Sequence, residues 1–110
     1  MRRSELLDII ADSPGLTKSE LISYLARSTG LTKVETEAVI EGMLGTVQDA
    51  LELGKKVELR GFGTFYVKTR EPREARNPAT QEKVMLNRRR VPIFKPSRTL
   101  KQKIDQAKDA

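Results

Sequence analysis

Apolar residues recur at helical spacing through the first half of the chain and at alternating positions through much of the second. Residues 4–18 read SELLDIIADSPGLTK and residues 19–33 read SELISYLARSTGLTK; nine of the 15 aligned positions are identical. Leu6, Ile9 and Ile10 of the first copy match Leu21, Tyr24 and Leu25 of the second, which predicts one short amphipathic helix in each. Gly15 and Gly30 stand where a left-handed C-cap is expected. Two such units are too few for a solenoid. Thr17 with Glu20, and Thr32 with Glu35, carry the capping-box spacing, so helices are predicted over 17–29 and 33–53, the latter ending at Gly54. The first copy has Arg2 in place of that Thr, which leaves Ser4 as its candidate cap. Val34, Ala38, Met43, Val47 and Leu51 predict a buried stripe on the third helix. Gly42 and Gly45 lie inside it at a cost of about 1 kcal/mol each relative to Ala. Close helix–helix approach and plain local weakness are the two readings of them.

After Gly54 the period changes. Val57, Leu59, Phe65 and Val67 sit among β-branched and aromatic residues and predict strands, with Gly61 and Gly63 marking a tight turn or bulge around Phe62. Val84-Met85-Leu86 and Val91-Pro92-Ile93-Phe94 read as returning strand segments. Ser97, after Pro96, is the N-cap expected for a last helix with Leu100 and Ile104 on one face, and the tail after Asp105 is expected to fray.

Charge divides at the same place. Residues 1–53 hold 5 basic and 9 acidic side chains, whereas residues 54–110 hold 16 basic and 6 acidic, within an overall net charge of +6. An asymmetry of this size suggests that one half builds the body and the other grips a polyanion, a solvated basic surface being the plainer alternative. The 110 residues contain neither Cys nor His, which excludes disulfides, thiolate or imidazole metal sites and every His-based catalytic device. No metal or cofactor is expected. Gly61-Phe62-Gly63 is no dinucleotide loop, because position 66 is Tyr66; Gly54-Lys55 is no P-loop, because position 49 is Asp49. An enzyme therefore has no supporting constellation. Glu5, Asp8 and Asp12 interrupt any apolar stretch behind Met1-Arg2-Arg3, so no targeting segment is read, no membrane association is expected and a cytoplasmic location is.

The most informative stretch is Arg70-x-x-Arg73-x-x-Arg76-Asn77-Pro78-x-Thr80. Read as a strand, it puts Arg70 and Arg76 on one face and Arg73 on the other, so a compact sheet would have to bury arginine. A projecting two-stranded arm avoids that cost. Residues 66–95 carry nine basic and three acidic side chains. Pro78 is either a turn proline after Asn77 or a stiff apolar wedge for a base step, and the flanking arginines favour the wedge.

These residues carry a family resemblance. Gly61-Phe62-Gly63-Thr64-Phe65, the Arg70-to-Thr80 run, Pro92-x-Phe94-Lys95-Pro96-Ser97 and Leu100-Lys101 together resemble the HU/integration host factor family of bacterial DNA-bending proteins. The resemblance implies an α+β fold and an intertwined dimer: a helical base, a three-stranded antiparallel sheet per chain, an extended β-ribbon arm at about 67–90 and a C-terminal helix. It covers about residues 16–104 and leaves 1–15 as an additional helical extension and 105–110 as a tail. By position it assigns Arg70, Arg73, Arg76 and Asn77 to the minor groove, Thr80 to DNA binding and Pro78 to intercalation. Lys68, Lys83, Arg88 and Arg90 would follow phosphates along the arm. Lys95, Arg98, Lys101 and Lys18 would hold flanking DNA at the body, and Phe62, Phe65 and Phe94 would fill the dimer core. The family usually has Gly where this chain has Gln81; a positive φ there would strain the tip by about 1–2 kcal/mol. The acidic extension is expected to face away from phosphate.

The expected function is thus sequence-tolerant binding and bending of double-stranded DNA, flexible or distorted sites preferred, by a histone-like protein of the nucleoid. A homodimer is expected, with a heterodimer left open. The alternative is an adaptor using the acidic helical half, with the basic arm taking RNA or an acidic protein.

Overall fold

The structure, a computed structural model, describes residues 3–107 apart from the side chains of Arg3, Ser4 and Ile9. Met1, Arg2 and the 108–110 part of the tail lie outside the described residues. The chain divides into two compact units, one ending at Thr46 and one spanning Val47–Ala107.

The first unit holds α1 (Arg3–Ile10), α2 (Lys18–Thr29) and most of α3 (Lys33–Glu52). Both capping boxes form. Thr17 Oγ1 accepts from the Glu20 N–H at 3.1 Å while Glu20 Oε1 accepts from the Thr17 N–H at 3.1 Å, and Thr32 and Glu35 repeat the exchange at 3.0 and 3.1 Å. Two Thr32 hydrogen bonds, through the backbone and then the side chain, hold the Glu35 carboxyl below its ordinary value. Gly30 ends α2 in the left-handed conformation, φ 81°, with its N–H on the Ala26 carbonyl.

The first copy of the repeat departs from its expectation. α1 stops at Ile10, and Gly15 has no positive φ. The cause is Pro14, which stands where the second copy has Thr29. It has no N–H to donate and biases Ser13 away from the helical region. Ser4 lies within the first turn of α1 rather than at its cap.

Little of this unit is buried. Ile22 and Ala26 are the buried apolar residues among those described, with Thr36, whose hydroxyl donates to the Thr32 carbonyl at 2.8 Å. The stripe expected on α3 is not buried in the protomer. Val34 is 78 % and Met43 50 % exposed, Ala38 is exposed, and Val47 and Leu51 are half-buried. A Cβ added at Gly42 or Gly45 would meet nothing within 4 Å, so no close helix approach occurs there within one protomer. A single copy leaves these apolar side chains in water, at roughly 25 cal/mol per Å² of lost burial.

The second unit begins with the last turn of α3. Gly54, φ 75°, and Lys55 donate to the Leu51 and Ala50 carbonyls, each at 2.9 Å, which closes the helix. β1 (Val57–Leu59), β2 (Gly63–Arg70) and β5 (Arg89–Pro96) form an antiparallel sheet in the order β1-β2-β5. β2 is therefore central, and Pro92 and Pro96 fall on an edge strand, where a missing donor is tolerated. The β1–β2 turn is tight: Gly61 has φ 82° and the Phe62 N–H donates to the Leu59 carbonyl at 2.9 Å. A Cβ on Gly63 would sit 2.5 Å from the Phe94 ring and 2.6 Å from the Lys95 carbonyl oxygen, so only glycine fits. α4 (Arg98–Gln106) starts at Ser97, whose Oγ accepts from the Leu100 N–H at 3.0 Å. α4 runs one residue past Asp105, to Gln106, and Ala107 is its C-cap.

Candidate nucleic-acid interface

The arm grows directly out of the sheet. β2 and β5 pair without interruption from Gly63↔Pro96 to Arg70↔Arg89. The ladder then breaks at Glu71-Pro72, because proline brings no donor, and resumes as β3 (Arg73–Arg76) on β4 (Lys83–Leu86). The register stays in step across the break, Arg73 opposite Leu86 and Arg76 opposite Lys83. The single strand expected over 70–76 is thus two pieces, with Arg70 in the body sheet and Arg73 and Arg76 in a two-stranded ribbon. Within β3 the last two take opposite faces, as the alternation requires.

The tip is closed by its own hydrogen bonds. The Asn77 N–H donates to the Glu82 carbonyl at 2.9 Å and the Gln81 N–H to the Asn77 carbonyl at 2.7 Å. Asn77 Oδ1 accepts from the Ala79 N–H at 2.9 Å, and Thr80 Oγ1 from the Glu82 N–H at 3.3 Å. Asn77 and Thr80 therefore build the turn, and Pro78 stands exposed at its apex. Gln81 has φ 63°, the one positive value among described non-glycine residues, so the strain anticipated at this position is present.

Lys68, Arg70, Arg73, Arg76, Lys83, Arg88 and Arg89 are all exposed along the arm. Lys83 pairs with Glu74 at 3.5 Å and Arg88 with Glu71 at 4.0 Å; such exposed pairs contribute little and separate readily for a stronger anion. At the arm root Lys68, Arg70, Arg73 and Arg89 line a shallow concavity with Glu71. Lys95, Arg98 and Lys101 are exposed at the end of β5 and the start of α4. Lys18, in the other unit, is ion-paired to Glu41; that hydrogen bond and charge, with a smaller contribution from Glu37, raise the ammonium above its ordinary value.

Two members of the Arg88-Arg89-Arg90 run change places relative to the sequence reading. Arg90 turns away from the arm, and its Nη2 donates to the Leu51 and Glu52 carbonyls at 3.1 Å each. It caps the C-terminal end of α3, where a cation meets the negative end of the helix. Arg89, which the resemblance leaves without a role, sits directly opposite Arg70. Like charges in register repel, and an intervening anion relieves them. The sequence signal was the run itself; only the register says which member faces where.

Phe62, Phe65 and Phe94 do come together. Phe94 lies 5.4 Å from Phe62 and 4.8 Å from Phe65, ring centre to ring centre, both tilted. Phe62 is 46 % and Phe94 38 % exposed, so the cluster is open on one side in a single copy. Among the described residues no group of His, Cys, Asp or Glu is arranged to hold a metal. No described helix is long and apolar enough to cross a membrane.

A helical unit with an uncovered apolar face, a three-stranded sheet and a cationic ribbon define an α+β protein of the arm-bearing kind. The model of the bacterial DNA-binding protein family matches residues 16–105, and the chain belongs to that family, which includes HU and integration host factor. The chain is 44 % identical over 75 residues to integration host factor subunit beta of Methylococcus capsulatus, covering 68 % of this chain and 79 % of the relative. It is 40 % identical over 106 residues to DNA-binding protein HU of Clostridium pasteurianum, covering 96 % of this chain and all of the relative. The fold is similar to Anabaena HU in a cocrystal with DNA, with TM-score 0.78, 36 % identity, 84 % of this chain and all of the other covered.

Proposed function

We propose that this protein is a nucleoid-associated, dimeric binder and bender of double-stranded DNA, and that its two arms act by minor-groove insertion. The observation that carries the reading is a cationic ribbon ending in a self-closed turn with Pro78 at its apex. Arg70, Arg73 and Arg76 line the groove, and Asn77 and Thr80 hold the turn. Pro78 enters a base step and partly unstacks it, a cost of a few kcal/mol that contacts along the bent duplex offset. Lys68, Lys83, Arg88 and Arg89 follow the phosphates, and Lys95, Arg98, Lys101 and Lys18 hold flanking DNA. Arg90 serves the helix end and is left out of that set.

A second copy covers the exposed side of the Phe62–Phe94–Phe65 cluster and the apolar residues of α3. Duplex DNA is favoured over RNA or an acidic protein by the family to which the chain belongs, whose relative is seen bound to DNA. No catalytic role is proposed. Flexible or nicked duplex costs less to deform and is bound more tightly than intact duplex. The test is energy transfer between the ends of intact and nicked duplexes at saturating protein. Shortened end-to-end distance with both supports the reading; unchanged distance with both would overturn it.

A further inference from the structure

Gln81 is the strained residue of the arm. Its φ of 63° suits glycine or asparagine far better than a long side chain, and strain of this kind persists where something is gained for it. The bonds that close the turn do not need the glutamine side chain, since they use the backbone of Gln81 and the side chains of Asn77 and Thr80. What the glutamine adds is an amide group three residues after Pro78. Its Nε2 faces the Pro78 carbonyl oxygen at 3.4 Å. That oxygen only accepts, so the nitrogen end of the amide must be the one turned toward it. The Oε1 end is thereby left free beside the wedge, as an acceptor with no described partner.

The minor groove presents acceptors at every base pair, and a single donor, the exocyclic amine of guanine. A lone acceptor held at the wedge therefore distinguishes G·C from A·T. We propose that Gln81 is a specificity-determining residue of the arm tip: its Oε1 accepts from a guanine amine beside the step that Pro78 opens. The inference rests on the bending reading above. It gives an otherwise sequence-tolerant protein a local preference for a G·C pair next to the kink. Gln81 lies in the closing turn, so the preference belongs to the tip and not to the arm as a whole.

The test pins the kink with a nick in a short duplex and places guanine or inosine at the pairs flanking it. Inosine keeps pairing with cytosine and lacks only the minor-groove amine. Dissociation constants and end-to-end energy transfer are measured for the full-length protein, for Gln81→Met, which keeps length and backbone strain without the amide, and for Gln81→Gly, which removes both. One neutral hydrogen bond predicts that the parent binds the guanine duplex about fivefold more tightly than the inosine duplex. Both variants should reduce that ratio toward one while still shortening the end-to-end distance. A parent ratio of one, or a ratio that Gln81→Met retains in full, overturns the inference with bending intact. Loss of bending in the parent would instead sink the functional reading beneath it.

Discussion

Arg90 reaches back to Leu51 across 39 positions of sequence, donating to its carbonyl oxygen at 3.1 Å and to that of Glu52 from the same nitrogen. The bond joins the root of the arm to the end of α3. Arg90→Ala is expected to lower stability by about 1 kcal/mol, the scale of a cation at a helix C-terminus. Arg89→Ala should leave stability nearly unchanged and weaken DNA binding. Thermal melts at one fixed protein concentration, set beside binding titrations, separate the two arginines.

Pro78→Ala should reduce the bend more than the affinity, because the phosphate contacts remain while the wedge is lost. The measurement is energy transfer between duplex ends at saturation. Equal transfer with parent and variant would remove Pro78 from the mechanism.

Binding carried by phosphate neutralisation is steeply salt-dependent. With six to ten phosphates contacted, affinity should fall by about 10³–10⁵ between 50 and 200 mM salt. Arg76→Ala should weaken binding to all duplexes and shallow the logarithmic salt slope, because one cation is lost from the set that neutralises the duplex. An unchanged slope and affinity would argue that Arg76 does not enter the groove.

Gly63→Ala should be among the most damaging single substitutions in the second unit. The added methyl meets the Phe94 ring and the Lys95 main chain, and a backbone neighbour cannot move aside as a flexible side chain would. An overpacking loss of about 1–3 kcal/mol is expected in a denaturant titration, with a weakened dimer because Phe94 is displaced.

The Glu35 carboxyl is held below the ordinary glutamate value of 4.5 by the Thr32 backbone and hydroxyl. A depressed carboxyl stabilises the folded state above its unfolded value, and that contribution fades as pH falls through the folded one. Melting temperature should therefore drop on acidification below about pH 4.5, and Glu35→Gln, which keeps an acceptor that does not titrate, should flatten part of that drop. Identical acid profiles for parent and variant would place the acid sensitivity elsewhere.

Local signals in this chain were legible without a structure because they depend on neighbours only a few residues away. The capping boxes at Thr17 and Thr32, the left-handed cap at Gly30, the helix end at Gly54, the turn at Gly61 and the N-cap at Ser97 all act through contacts within five residues. Gly15 failed the same reading because Pro14, one residue before it, had already ended α1.

The arm was legible for a different reason. A run of Arg, Asn, Pro and Thr with almost no apolar partner cannot be packed, so it must project, and the charge split at Gly54 says what kind of partner it meets. Tertiary structure decided the rest. Which of Arg88, Arg89 and Arg90 reaches the end of α3 and which stays on the arm depends on strand register and on where α3 ends, which are settled by pairing across tens of residues. The stripe on α3 marked apolar positions as a pattern, yet a single protomer leaves Val34, Ala38 and Met43 exposed and covers Val47 and Leu51 only in part, because burial is a property of what packs opposite and not of the helix that carries them.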